Sequence, residues 1–351
     1  MTGTIKIGGI SIGKDHRPFV IAELSGNHNQ SLDKAIEMVR AAASAGVQAI
    51  KLQTYTADTM TLDSNEPEFI INDQSSPWYG QNLYQLYEKA HTPWEWHEAI
   101  FQEADKLGLA AFSTPFDASA VDFLESLNVP AYKIASFENT DLSLVSRVAQ
   151  TGKPVIISTG MATVAEIDEC VQSFRESGGQ DLILLKCTSS YPANPFESHL
   201  HTIPHMQQLF SCNVGLSDHT LGIGAAVASV ALGGVVVEKH FTLDRSDGGV
   251  DADFSLEPDE MKLLVNETER AWQSLGVVHY GPSEQEKSST QYRRALYVVE
   301  DLKAGDYLSV NNTRSLRPAL GIPAKYLDML MGSQVKKDIK PGTPLKWDMV
   351  I

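Results

Sequence analysis

Eight short apolar runs rich in β-forming residues alternate with helix-patterned stretches across the first 280 of the 351 residues. The runs are 19–24, 49–55, 110–115, 131–136, 154–159, 182–188, 213–219 and 235–241. Between them lie helical patterns such as 31–45, 93–107, 118–127, 163–177 and 258–275. Ser31 stands at one helix start, and Thr163 with Glu166 three residues on reads as a capping box. Strands this apolar, separated by helices, imply a parallel sheet covered on both faces. Eight repeats favour a closed (β/α)8 TIM barrel over an open doubly wound sheet, which commonly has five or six strands. A dinucleotide-binding sheet would also want Gly-x-Gly-x-x-Gly after a strand, and Gly222-Ile223-Gly224 lacks the third glycine in register.

Hydrophilic groups gather at the C-terminal ends of these runs: Glu23; Lys51 and Gln53; Ser113 and Thr114; Lys133 and Ser136; Ser158 and Thr159; Lys186, Thr188 and Ser189; Ser217, Asp218 and His219; Glu238 and His240. In a barrel those ends converge on one mouth. Unpaired buried charges cost several kcal/mol each, so such a rim needs a ligand or mutual pairing. Lys51 and Lys133 with Ser136, Ser158, Ser189 and Ser217 suit a phosphate or carboxylate. The competing reading pairs each lysine with a carboxylate such as Glu23 or Glu138. His219 and His240 end adjacent runs, so they can share one divalent cation and leave positions open for water or a substrate oxygen.

Composition narrows the partners. The net charge is −16, which argues against general nucleic-acid or anionic-membrane binding, so an anion needs a local cationic cluster. No stretch of about 18 apolar residues offers a membrane span, and Met1 to Lys6 lack the apolar core of a secretory leader. Cys170, Cys187 and Cys212 form no disulfide or zinc pattern and fit a reducing cytoplasm.

The connection 56–91 is long and holds Trp78-Tyr79-Gly80 and Leu83-Tyr84-Gln85-Leu86-Tyr87, as a lid or sugar platform would. The alternative is a helix packing Leu83, Leu86 and Tyr87 onto the barrel side. A barrel over 1–280 is followed by a polar linker, 281–291, and a small segment, 292–351, with ten Lys and Arg against six Asp and Glu. That segment repeats itself weakly, as Asp301-Leu302-Lys303-Ala304-Gly305 and Asp338-Ile339-Lys340-Pro341-Gly342, which suggests a mostly β module.

The motifs Ile21-Ala22-Glu23-Leu24-Ser25-Gly26-Asn27-His28, Ile50-Lys51-Leu52-Gln53-Thr54, Phe112-Ser113-Thr114-Pro115-Phe116, Tyr132-Lys133-Ile134-Ala135-Ser136, Ser158-Thr159-Gly160-Met161, Gly215-Leu216-Ser217-Asp218-His219-Thr220 and Glu238-Lys239-His240-Phe241 together resemble the sialic acid synthases. The resemblance runs in order over nearly the whole chain. The region from Lys303-Ala304-Gly305 to Arg317-Pro318 is similar to the antifreeze-like (SAF, β-clip) module that ends those enzymes. The resemblance implies condensation of phosphoenolpyruvate with an amino-sugar aldehyde and water, giving phosphate and a nine-carbon 2-keto acid. It implies that Lys51, Lys133, Ser136, Ser158, Ser189 and Ser217 hold phosphoenolpyruvate and that Glu23 is the acid/base. His219 and His240 would bind Mn²⁺, with Mg²⁺ or Co²⁺ as substitutes. Gln53, Tyr191 and Asp251 would contact the sugar, with Arg317 arriving from the partner subunit of a domain-swapped homodimer.

Within that family, Thr188-Ser189-Ser190-Tyr191-Pro192 departs from the Thr-Asn-Ile-Tyr-Pro of N-acetylneuraminate synthases, while the long 56–91 connection, Thr92-Pro93-Trp94-Glu95-Trp96-His97 and Arg317-Pro318-Ala319-Leu320-Gly321-Ile322 are similar to the pseudaminic acid synthase branch. That branch implies a 6-deoxy, diacetamido sugar suited to an aromatic pocket. The alternative is a legionaminic or N-acetylneuraminic acid synthase.

Overall fold

The computed structural model describes residues 3–74 and 76–351. Met1 and Thr2, part of the stretch read for a leader, and Ser75 of the long connection lie outside the described residues. The chain divides into two compact units, Met1–Gly276 and Val277–Ile351.

In the first unit a hairpin of β1 (Ile5–Ile7) and β2 (Ile10–Ile12) precedes eight strands: β3 (Phe19–Glu23), β4 (Ala49–Thr54), β5 (Ala110–Pro115), β6 (Tyr132–Ile134), β7 (Val155–Ser158), β8 (Leu182–Cys187), β9 (Asn213–Asp218) and β10 (Val236–His240). β3 to β10 close into a parallel barrel, with β10 paired to β3 through Val236 opposite Phe19 and His240 opposite Glu23. Most of these strands are buried along their whole length, which is why they read as apolar runs instead of alternating ones.

The helices between them start where the sequence places caps. Ser31 accepts from the Lys34 N–H ahead of Leu32–Ala45, and Thr163 and Glu166 form a reciprocal box ahead of Val164–Glu176. Each helix buries one stripe, such as Met38, Val39 and Ala42, against the outer face of the barrel.

The hairpin is absent from the sequence reading, because three-residue strands carry little periodic signal. Ile5, Ile7 and Ile12 bury with Phe19, Ala49 and Ala110, the first residues of three barrel strands, so the hairpin closes the end opposite the mouth. Each buried isoleucine contributes about 1.5–3 kcal/mol. Gly8, at φ 55°, turns the hairpin, and a Cβ there would lie 2.9 Å from that of Ala110.

The long connection holds a short helix, Ala57–Met60, and a second, Leu83–Ala90. Both sequence readings of it describe part of the result. Leu86 is buried and Tyr87 packs edge-on to Tyr55, as a side-packing helix would. Trp78, in contrast, reaches the barrel mouth. Among the described residues, no helix is long and apolar enough to cross a membrane, and the three cysteines are buried and free.

The second unit is built on β11 (Ala295–Val298) and β12 (Thr313–Leu316), antiparallel, around Leu296, Val298, Leu302, Leu308, Ile322, Val335, Ile339 and Leu345. The repeated motif explains its symmetry. Leu302 and Ile339 exchange backbone hydrogen bonds of 3.0 and 2.9 Å. Around them Lys303 pairs with Asp338 at 2.8 Å and Lys340 with Asp301 at 2.9 Å, each copy supplying one lysine and one aspartate.

Candidate active site

Parallel strands in register bring the charged strand ends side by side: Glu23 lies opposite both His240 and Lys51. Lys51 forms an ion pair with Glu23 and donates to the Thr114 hydroxyl at 3.1 Å, while Gln53 donates to the other Glu23 oxygen at 3.0 Å. Glu238 lies 3.9 Å from Lys51 and 3.8 Å from Lys133, and the Ser217 hydroxyl donates to it at 3.4 Å. The sequence lists Glu238 among the rim residues but gives it no role. In the fold it is the anion that bridges the two lysines. Lys133 lies within ion-pair range of Glu238; it also pulls on Glu138, whose carboxyl burial nevertheless pushes up to about 7.

Burial governs the protonation of this cluster. It pushes the Glu23 carboxyl above its ordinary value against the pull of Lys51. Burial also opposes the charge on Lys51, but Glu23 and Glu238 outweigh it and hold the ammonium above its ordinary value. For Lys133 burial prevails and lowers it despite Glu238. Burial would raise Glu238, yet Lys133 and Lys51 hold it below the usual carboxylate range. The cluster is a stack of two cations and two carboxylates whose internal pairing an incoming dianion can replace.

Around it runs an arc of hydroxyls. The Gly160 N–H donates to Ser136 Oγ at 3.0 Å. A Cβ on Gly160 would lie 2.2 Å from Ser189 Oγ and 2.7 Å from Ser136 Oγ, so only glycine lets these two hydroxyls converge. Ser158 Oγ is buried with no hydrogen-bond partner among the described residues, the mark of a group kept for a ligand.

His219 and His240 stand with ring centroids 5.4 Å apart. His219 Nδ1 lies 2.9 Å from the Thr188 carbonyl, which can only accept, so Nδ1 carries a proton and, in the neutral ring, the lone pair is on Nε2. His240 Nδ1 is buried without a hydrogen bond among the described residues, 3.6 Å from Asp251. Burial, with His219 and Lys51 nearby, holds His240 well below its ordinary value and therefore neutral. Burial likewise raises Asp251. Burial opposes a charge on His219, but Cys187 and the Thr188 carbonyl hold it above its ordinary value, so the pair could hold a divalent cation once His219 gives up its second proton. Among the described residues no group of three or more His, Cys, Asp or Glu is placed to hold one, so a cation here would keep open positions.

The fold therefore brings Glu23, Lys51, Gln53, Lys133, Ser136, Ser158, Ser189, Tyr191, Ser217, His219, His240 and Asp251 to the barrel mouth or the connections that border it. Arg317 belongs to the second unit, just past β12. Asp218 leaves the rim set: one residue out of phase with Ser217 and His219, it pairs with Lys239 at 2.7 Å on the other face of the sheet. The sequence reading also missed Phe254, which packs 5.0 Å from His240 and 5.2 Å from Tyr191. It ends a single 3-10 turn, Ala252–Phe254, beyond β10, three residues after Asp251, where no apolar run or periodicity marks it.

Comparison with known proteins agrees with this geometry. Residues 38–280 match the NeuB family and residues 293–351 the SAF domain. The chain is 43% identical over 332 residues to a pseudaminic acid synthase of Campylobacter jejuni, covering 95% of this chain and 96% of that one. It is 40% identical over 333 residues to the pseudaminic acid synthase of Helicobacter pylori, covering 94% and 97%. Among solved structures, the N-acetylneuraminic acid synthetase from Leptospira borgpetersenii in complex with citrate aligns with a TM-score of 0.73 at 32% identity, over 82% of this chain and 95% of that one. The chain belongs to the NeuB family, a TIM-barrel enzyme carrying a C-terminal SAF domain.

Proposed function

We propose that the chain is a pseudaminic acid synthase, joining phosphoenolpyruvate, 2,4-diacetamido-2,4,6-trideoxy-L-altrose and water into pseudaminic acid and phosphate. The reading rests on one observation: two buried lysines, an arc of hydroxyls and a pair of adjacent imidazoles share the mouth of a barrel whose relatives at 40–43% identity are pseudaminic acid synthases.

In this reading the phosphate and carboxylate of phosphoenolpyruvate displace the lysine–carboxylate pairing and take up Lys51, Lys133, Ser136, Ser158, Ser189 and Ser217. The sugar lies toward Gln53, Tyr191 and Asp251. A divalent cation on His219 and His240, Mn²⁺ with Mg²⁺ or Co²⁺ as substitutes, would polarise the aldehyde carbonyl, which carbon 3 of phosphoenolpyruvate needs because it is a weak nucleophile. Holding the two carbons in line supplies much of the remaining rate. As they join, positive charge grows at carbon 2. Glu23 stabilises it and removes a proton from the water that adds there, a role suited to a carboxyl whose pKa burial has raised. Phosphate then leaves by C–O cleavage. We place Arg317 over the partner's site in a domain-swapped homodimer, take 281–291 as the linker between a barrel of 1–280 and the module, and assign the enzyme to the cytoplasm.

Phosphate release measured over a panel of acetamido sugars with Mn²⁺ tests this. Turnover is expected with the diacetamido-trideoxy-altrose above N-acetylmannosamine. Absence of turnover with every acetamido sugar would overturn the enzyme reading, and preference for another sugar would reassign the substrate.

A further inference from the structure

We propose that Trp78, with Phe254, forms a wall that selects sugars by their methyl-terminated substituents, an inference that rests on the functional reading above. Three connections far apart in sequence meet beside the imidazole pair. Trp78 comes from the loop after β4, Tyr191 from that after β8 and Phe254 from that after β10. The Trp78 ring lies 5.6 Å from Tyr191 and 6.4 Å from Phe254. Phe254 in turn stands edge-on to both imidazoles, 5.0 Å from His240 and 6.4 Å from His219.

The hydrogen-bonding capacity of this wall is spent. The Trp78 indole N–H donates to the Val250 carbonyl at 2.9 Å, which anchors the indole and leaves only carbon toward its neighbours. Phe254 has no polar atom and is buried. A sugar whose aldehyde sits at the imidazole pair therefore finds the half-buried Trp78 ring alongside, backed by Phe254, where a methyl group is accepted. A hydroxyl in the same place loses its water without gaining a partner. Apolar pockets discriminate an added hydroxyl by at most about 10²-fold, so the wall tunes preference and leaves stereochemistry to other groups. The methyl could be the 6-deoxy carbon or that of the second acetamido group, and both present the same chemistry.

The test compares kcat/KM for the diacetamido-trideoxy sugar, 6-deoxy-N-acetylmannosamine and N-acetylmannosamine in the wild type, Trp78→Ala and Trp78→Phe. In Trp78→Ala the preference for the diacetamido-trideoxy sugar over N-acetylmannosamine should fall about tenfold through KM of the sugar, with KM for phosphoenolpyruvate unchanged. Trp78→Phe should restore most of it. The 6-deoxy monoacetamido sugar shows which methyl the wall reads, according to whether its own preference falls with the first variant. A wild type that prefers the diacetamido sugar, with that preference intact in both variants, would overturn the wall and leave the functional reading standing. A wild type that prefers N-acetylmannosamine would overturn the functional reading itself.

Discussion

Replacing Glu238 by glutamine should weaken the empty protein and strengthen its grip on phosphoenolpyruvate. The carboxylate lies 3.9 Å from Lys51 and 3.8 Å from Lys133. With an effective dielectric near 20, each such pair interacts by about 4 kcal/mol before desolvation is counted. Removing one member of a buried charge cluster costs roughly 3–5 kcal/mol, because its partners are left uncompensated. At about 2–4 °C per kcal/mol for a unit of this size, Tm should fall on the order of 10 °C. Phosphoenolpyruvate reverses the balance: its own negative charge replaces Glu238 between the lysines, and in the variant it has no carboxylate to displace. A tenfold tighter Kd adds about 1.4 kcal/mol to the stabilisation at a given excess of ligand. Thermal unfolding with and without phosphoenolpyruvate therefore should show a lower starting Tm and a larger ligand-induced rise than in the wild type. An unchanged starting Tm, or a smaller rise, would refute the bridging role.

Four further outcomes are expected. His219→Ala or His240→Ala should lower Mn²⁺ affinity by more than the roughly 10–100-fold that loss of a supporting contact costs, and abolish turnover; unchanged metal content and rate would count against the imidazole pair. Gly160→Ala should raise KM for phosphoenolpyruvate about tenfold or more while leaving KM for the sugar alone, since its Cβ would collide with Ser136 and Ser189. His28 and His97, buried and bonded to Thr92 and Thr54, are held by burial at about 4. The unfolded chain takes up protons from about pH 6.5 downward while the native state resists until about 4, so stability should fall through that window by roughly 3 kcal/mol per ring; His28→Gln with His97→Gln should flatten the profile seen in urea titrations. Arg317→Ala should raise KM for the sugar and leave phosphoenolpyruvate binding intact, and equal loss of both would contradict its reach into a partner's site.

Local pattern carries far in this chain because both of its signals are short-range. Strand burial on two faces produces the apolar runs, and the end of each run marks the mouth, so Lys51, Lys133, His219 and His240 could be placed at one rim by counting along the chain. The same holds for the Thr163 and Glu166 cap, and for the echo that pairs Leu302 with Ile339.

What pairs with what was settled only in three dimensions. A single residue of phase sends Asp218 and Lys239 through the sheet to each other, while Glu238 turns inward to the two lysines. That choice follows from strand register, which depends on all eight strands closing together. Trp78 meets Phe254 across 176 positions of sequence, and the hairpin of Ile5 to Ile12 meets the barrel floor, through contacts no periodicity encodes. The sequence determined which chemical groups reach the cavity's edge; closure of the barrel and folding of its loops decided which of them neutralise one another and which remain free for a substrate.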